Sequence, residues 1–209
     1  MLKSIIYYSL LLSAFVPLCA VSTPEEIRSA LALTPDIDNG KRIFPLCASC
    51  HMKTGWGKPD GSFPVIAGQH QQVLIKQLSD IRSKDRINPT MYPFTDPQTI
   101  GGAQAIADVT AYIAQLPATS TPGQGETKQL ALGENLYKKN CQQCHGESAE
   151  GNAQAFYPKL KGQHYAYLLR HMKWIGEGYR KNSDPVMVKM IKPLQENELQ
   201  AIADYLSRL

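Results

Sequence analysis

The feature that most constrains this chain is a C-x-x-C-H motif that occurs twice, at residues 47–51 and 141–145. Two cysteines at this spacing can each form a thioether with one vinyl group of the same porphyrin, and the histidine that follows can bind the iron. The motif is the attachment signature of a c-type haem, so two copies predict two covalently bound haem c groups. The predicted attachment residues are Cys47, Cys50, Cys141 and Cys144, and the predicted proximal iron ligands are His51 and His145.

Other uses of paired cysteines fit this chain less well. A thioredoxin-like redox pair needs a βαβ context, and neither motif lies near a predicted strand. A structural zinc site needs four ligands close together, but the two pairs lie 94 residues apart and each has its own histidine. The chain has five cysteines, and the one outside the motifs lies near the N-terminus. The pattern therefore favours haem.

Residues 1–22 have the pattern of a secretory signal peptide. Lys3 is followed by an apolar stretch that is too short and too interrupted for a transmembrane helix. Cleavage after Ser22 satisfies the small-x-small rule, and cleavage after Ala20 is an alternative. Acylation of Cys19, or retention of the segment as an inner-membrane anchor that gives peripheral membrane association, also stays open. Export predicts a periplasmic protein, which fits c-type haem attachment.

The second half of the chain repeats the first. Gly-Gln-His at residues 68–70 recurs at 162–164, and Pro-x-Met at 89–91 recurs at 185–187. A repeat of this length indicates a duplicated domain, because solenoid repeats are only about 20–50 residues long. The predicted boundaries are a signal peptide at 1–22, a first domain at 23–117, a linker at 118–127 and a second domain at 128–209.

Helical periodicity dominates both halves. The apolar positions 106, 109, 113 and 116 share one helix face, as do positions 199, 202, 203 and 206. Residues 165–175 form a further amphipathic candidate, and no stretch alternates long enough to predict a strand. The sequence therefore predicts an all-α fold.

The repeat leaves the alignment of the two last helices open. Ala-Ile-Ala-Asp occurs at 105–108 and at 201–204, a separation of 96 residues, whereas Tyr112 and Tyr205 are 93 residues apart. The two alignments differ by about one helical turn.

Methionines late in each half are candidates for the second axial ligand of the iron. In the first half Met52 directly follows the proximal histidine, which leaves Met91. In the second half Met187 shares the Pro-x-Met context of Met91, Met190 lies one turn further, and Met172 is expected to pack in a helix. The predicted distal ligands are Met91 and Met187, with Met190 as the alternative. Ligation by histidine and methionine fills both axial positions and suits electron transfer.

Two further histidines recur at matching positions. His70 and His164 each lie 19 residues after a proximal histidine, at the start of a predicted helix. We expect them to be partly exposed or to bind a haem propionate rather than the iron.

The charge distribution excludes one class of partner. The formal net charge is +4, and the chain has no basic run of the kind that binds nucleic acid. Residues 23–117 carry nine basic and nine acidic side chains, whereas residues 118–209 carry twelve and nine. The basic excess of the second half, including Lys138 and Lys139 before its motif, could steer an acidic partner protein.

The chain resembles the dihaem cytochrome c4 family over residues 38–209. The resemblance rests on the two haem motifs, the aromatic-Pro-x-apolar-x-Gly-Gln stretch after each, and the methionine late in each half. It implies two tandem class I cytochrome c domains, each wrapped around one covalent haem. It also implies a periplasmic electron carrier, not an enzyme, that transiently binds a donor such as a cytochrome bc complex and a terminal oxidase. Residues 23–36 depart from the family and are expected to form a short additional helix.

Two alternatives to a free electron carrier remain. The first is the dihaem cytochrome subunit of a redox enzyme, such as a sulfide-oxidising flavocytochrome c. The second is a catalytic dihaem peroxidase, which would need a haem with an open face and is disfavoured by the two methionine candidates.

Overall fold

The computed structural model describes residues 25–126 and 128–209, so the predicted signal peptide and Cys19 lie outside the described residues. Regular structure in these ranges is helical, apart from an isolated antiparallel bridge between Asn152 and Tyr157, which confirms the all-α prediction. None of these helices is long and apolar enough to cross a bilayer. The helices are α1 Glu25–Ala32, α2 Ile37–Ile43, α3 Pro45–His51, α4 Gln71–Arg82, α5 Tyr92–Thr95, α6 Pro97–Ile100, α7 Ala103–Gln115, α8 Leu130–Asn140, α9 Gln142–His145, α10 Tyr165–Gly176, α11 Pro185–Ile191 and α12 Glu196–Leu206.

The two halves use their helices in the same way. Helices α2, α4 and α7 of the first half correspond to α8, α10 and α12 of the second, and the short helices α3 and α9 carry the haem motifs. The apolar faces predicted for α7 and α12 are buried, because apolar side chains on one helix face leave water when the helices pack. The buried positions are Ile106, Val109 and Ile113 in α7 and Leu199, Ile202, Ala203 and Leu206 in α12.

The first and last helices of each half cross at a glycine. A Cβ atom on Gly40 of α2 would lie 2.1 Å from the carbonyl oxygen of Asp108, and one on Gly133 of α8 would lie 2.1 Å from that of Ala201. Any side chain at these positions would overlap the backbone of the partner helix. The Gly-x-x-apolar-aromatic pattern before each motif is therefore a packing requirement.

The glycine crossings settle how the last helices of the two halves correspond. The aromatic pair Phe44–Tyr112 lies beside the first crossing with ring centroids 5.3 Å apart, and Tyr137–Tyr205 lies beside the second at 5.7 Å. The helices thus align on Tyr112 and Tyr205, and the identical Ala-Ile-Ala-Asp segments lie one turn out of register.

This offset gives the two repeated aspartates different partners. Asp108 accepts hydrogen bonds from the backbone N–H of Asp36 at 2.8 Å and from the Asn39 side chain at 2.7 Å, next to the start of α2. Asp204 accepts one from the N–H of Gly125 at 3.0 Å and one from Arg208 at 2.9 Å. The second aspartate therefore fixes the interdomain linker to α12.

The additional helix expected within residues 23–36 is confirmed as α1. Its Ile27 and Ala30 are buried in one cluster with Ile75 of α4 and Ile106 of α7. Arg82 at the end of α4 forms an ion pair with the α1 residue Glu26. Helix α1 is therefore an integral part of the first half.

The two halves meet at a seam with paired hydrogen bonds. Gln69 donates to the carbonyl oxygen of Lys159 and accepts from its N–H, both at 2.9 Å. Gln163 makes the same two bonds to Val65, also at 2.9 Å. Because the glutamines and their partners are each 94 residues apart, an approximate two-fold axis relates the domains.

The histidines that follow these glutamines also bridge the seam. The Nε2 atom of His70 lies 2.7 Å from the carbonyl oxygen of Glu150, and Nε2 of His164 lies 2.7 Å from that of Trp56. Nδ1 of His164 accepts from the N–H of Gly123 at 3.0 Å, which leaves Nε2 as the protonated donor. The expectation of partial exposure holds for half-buried His70 but is wrong for His164, which is buried by these contacts.

The seam should weaken in acid through His164. Burial lowers the pKa of this imidazole, so below pH ~6.5 the unfolded chain binds the proton and the folded protein does not. Stability from this group is complete above that pH and falls by at most about 1.4 kcal/mol per pH unit below it. Urea unfolding of the wild type and of His164→Gln between pH 7.5 and 5 measures the effect. The difference between them should shrink in acid, and a constant difference would contradict the assignment.

Gly133→Ala should destabilise the second half by about 3 kcal/mol, the upper range for overpacking, because the obstructing atom is a backbone carbonyl oxygen. Gly102→Ala is the control, since a Cβ atom there would meet nothing within 4 Å. Urea unfolding of both variants tests the prediction, which a loss below about 1 kcal/mol for Gly133→Ala would refute.

Candidate functional site

Both haem motifs lie on short helices that place their two cysteines near one another. In α3 Cys47 and Cys50 are three residues apart and share a helix face. In the second half Cys141 caps α9, which contains Cys144. All four cysteines are unbridged. Each pair is thus arranged to bind one flat group.

The proximal histidines have a defined tautomer. Nδ1 of His51 lies 3.0 Å from the carbonyl oxygen of Pro64, and Nδ1 of His145 lies 3.1 Å from that of Pro158. Because a carbonyl only accepts, Nδ1 carries the hydrogen and Nε2 keeps a free lone pair. Burial lowers the pKa of both imidazoles, against the opposing effect of these hydrogen bonds. Both rings are therefore neutral and oriented, as iron ligation requires.

The cysteine environments disfavour thiolate chemistry. Burial raises the pKa of Cys47 and of Cys141 to about 11, so both are neutral thiols at physiological pH. Reactive thiolates in redox motifs have lowered pKa values instead. In the ranges 25–126 and 128–209, no group of three or more His, Cys, Asp or Glu side chains could hold a metal ion. The zinc and thioredoxin alternatives therefore lose support.

A cavity of about 300 Å³ opens beside the second motif and extends to α4 of the first half. Two thiols and an imidazole at the edge of an apolar cavity fit a covalently held porphyrin. The cavity is lined by Cys141, Cys144, His145, Leu168, Met172, Ile175, Ile191, Ile202 and Leu206, together with Val73 and Leu74 from α4.

Where this cavity reaches the seam, the side chains are strongly basic. We call this group the seam cluster. Its members are Lys76, Asp80 and Arg86 from the first half and Arg170, His171 and Arg180 from the second. The cluster contains four cations and a single carboxylate, and Arg86 and Arg180 occupy equivalent positions of the repeat.

Contacts within the seam cluster indicate that it is built for anionic groups. Nδ1 of His171 is buried without a hydrogen-bond partner. Burial, followed by the charges of Arg86, Arg180 and Arg170, lowers the pKa of His171 to about 2. Burial and the charge of Arg86 lower the pKa of Arg180 to about 10. Such destabilised cations are satisfied by carboxylates, which the propionates of a haem would provide.

The family described as Cytochrome c matches residues 37–117 and again residues 130–209. Cytochrome c4 from Pseudomonas aeruginosa is 30% identical to this chain over 184 residues, which cover 83% of the chain and 89% of the relative. The chain belongs to the cytochrome c4 family. The predicted resemblance and the two tandem cytochrome c domains are thereby confirmed, and the protein is a cytochrome c4-like dihaem electron carrier.

Further comparisons agree with membership of the cytochrome c4 family. The crystal structure of reduced recombinant cytochrome c4 from Pseudomonas stutzeri matches with a TM-score of 0.74 at 27% identity, covering 84% of this chain and all of that one. A thiosulfate dehydrogenase electron acceptor from Stutzerimonas stutzeri is 32% identical over 178 residues, which cover 78% of each chain.

The methionines of this cytochrome c4-family chain occupy different environments. Met91 is half-buried at the start of α5, and half-buried Met187 of α11 packs against the second core and lines the cavity. Met190 also lines the cavity but is 36% exposed, whereas Met172 is buried among core side chains as expected. Met91 and Met187 remain the predicted distal ligands.

Several residues at the seam were not predicted from the sequence. Gln69 and Gln163 recur within the Gly-Gln-His motif, but recurrence alone gave no role for their amides. Arg86 and Arg180 also recur at the 94-residue spacing, and this signal could have identified them. His171 and Asp80 have no counterpart of the same type in the other half, so the repeat gave no signal for them.

Proposed function

We propose that the protein is a periplasmic electron carrier that passes single electrons from a donor such as a cytochrome bc complex to a terminal oxidase. The observation that carries the proposal is the duplicated site, in which each motif histidine is neutral and held through Nδ1 by a proline carbonyl. Membership of the cytochrome c4 family supports the same conclusion. The periplasmic location rests on the signal-like residues 1–22.

The site residues have distinct proposed roles. A bound haem supplies a one-electron redox change at its iron. The four motif cysteines hold the two haems covalently, and His51 and His145 present Nε2 to the irons. Met91 and Met187 complete the ligand sets with thioether sulfurs. With both axial positions filled by side chains, neither site has room for a substrate, which favours electron transfer over catalysis.

The seam has a mechanical role in this proposal. The paired bonds of Gln69 and Gln163, together with those of His70 and His164, hold the two domains in one orientation. A fixed orientation keeps the separation between the two sites constant, as rapid transfer between them requires.

Helix α11 offers the proposed docking surface beside the second site. Val186 is 63% exposed and Met190 is 36% exposed, and the adjacent Lys189 and Lys192 are also exposed. A small apolar patch with lysines around it suits brief docking of an acidic redox partner. Lys138 is less suitable for this role than its position before the motif indicated, because it pairs with Glu134 at 2.7 Å.

Replacing these lysines should weaken the salt dependence of electron transfer. Exposed charges are screened beyond about 8 Å at physiological ionic strength, so wild-type encounter rates should fall as salt rises. Lys189→Gln with Lys192→Gln should flatten this slope, whereas Lys41→Gln with Lys84→Gln, on the exposed surface of the first half, should not. Stopped-flow transfer to oxidase-containing membranes measures the rates. Equal slopes for all three proteins would refute docking through α11.

A second candidate is the electron acceptor of a soluble redox enzyme. It is favoured by the relative from Stutzerimonas stutzeri that is described as a thiosulfate dehydrogenase electron acceptor. Reduction of the purified protein by a thiosulfate dehydrogenase, but not by a cytochrome bc complex, would favour this candidate. The opposite preference would favour the respiratory carrier.

A further inference from the structure

The seam helices α4 and α10 differ in charge at equivalent positions. Asp80 of α4 corresponds to Trp174 of α10, and Gln77 corresponds to His171, each pair being 94 residues apart. The two-fold relation of the domains therefore breaks at the seam cluster. The first half contributes a carboxylate for which the second half offers only a neutral ring.

Asp80 is held across the seam by its partners. Its side chain accepts a hydrogen bond from Nδ2 of Asn182 in the second half at 2.7 Å and forms an ion pair with Lys76 one turn earlier. Only 4% of Asp80 is exposed, and it lines the cavity that contains Cys141 and Cys144. Trp174, in contrast, is 39% exposed.

We propose that Asp80 lowers the reduction potential of the haem held by the second half, and that the absence of a carboxylate at Trp174 leaves the first-half haem without an equivalent effect. The inference rests on the proposed function, since it assigns Asp80 a role at one of the two proposed haem sites. Asp80 is a positioning residue for charge and does not bind the iron.

The physical basis is the charge gained on oxidation. Loss of an electron adds one positive charge to a haem site, and a nearby carboxylate stabilises that charge. The effect is strong when both are shielded from water, because the effective dielectric constant is low there. Lys76, Arg86 and Arg180 act in the opposite direction, but they remain when Asp80 is neutralised. Removing the carboxylate charge should therefore favour the reduced form of the second haem.

Reciprocal substitutions test the assignment in the full-length holoprotein. Asp80→Asn should raise one midpoint potential and leave the other in place. Trp174→Asp adds a carboxylate at the equivalent position and should lower the other midpoint. Asp85→Asn, an exposed residue near the end of α4, removes the same charge as a control and should move neither. Asp80→Glu keeps the charge and should retain the wild-type values. Spectroelectrochemical titration of each protein gives both midpoints.

Each outcome has a defined meaning. Shifts of opposite sign on different midpoints support the inference. Equal shifts of both midpoints, shifts of one and the same midpoint by both variants, or unchanged midpoints would overturn it. Unfolding curves identify any variant that is misfolded, and Asp80→Glu then decides whether charge or shape matters. A wild type without two midpoints would refute the proposed function itself, whereas two midpoints that ignore Asp80 would refute only this inference.

Discussion

Met187→Ala should remove half of the weak sulfur-to-iron absorption band of the ferric protein and lower one of its two midpoint potentials. A thioether ligand stabilises ferrous haem, and axial ligands as a class set haem potentials over about 0.8 V. Met187 is the half-buried methionine of α11 that packs against the second core and lines its cavity. The band of the first site should persist, because Met91 is unchanged.

Met190→Ala is the matched control for this experiment. It removes the same side chain one helical turn away, at a position that is 36% exposed. The band and both midpoints should remain at wild-type values. Loss of the band in Met190→Ala, with retention in Met187→Ala, would assign the ligand to Met190.

The fold could be predicted because its determinants are local and repeated. The apolar positions of α7 and α12 follow helical periodicity, and the glycines at 40 and 133 lie where helices cross. The spacing of the motifs likewise identified the cysteines and histidines without any knowledge of tertiary contacts. The alignment of the last helices could not be decided, because the match at Ala-Ile-Ala-Asp and the match at the tyrosines compete. Steric contact with the glycines resolves it.

The seam could not be predicted because it depends on how two domains meet. His164 has the sequence context of an exposed residue at the start of a helix, yet two backbone groups of other segments bury it. Lys138 lies next to a haem motif, but Glu134 one turn earlier partly neutralises it. The cavity contacts of Asp80 and the buried nitrogen of His171 exist only after the halves dock. In each case the deciding contact comes from a segment distant in sequence or from the opposite side of a helix.

Replacing Cys141 and Cys144 together with serine should remove one covalent haem and leave the other. Serine hydroxyls do not form the thioethers that the motif provides, while Cys47 and Cys50 remain intact in their own helix. The second core should also lose stability, because its cavity would lack the apolar group that fills it. A double variant of Cys47 and Cys50 should give the reciprocal loss. Retention of two covalent haems by either variant would contradict the attachment assignment.

The central claim is that each chain carries two covalent haems that exchange one electron each. Intact mass of the acid-denatured wild-type protein, combined with a coulometric titration of the same sample, tests it most directly. The account predicts a mass that exceeds the polypeptide by two haems, together with two one-electron steps per chain. A mass with one added haem or none, or a single electron per chain, would contradict it.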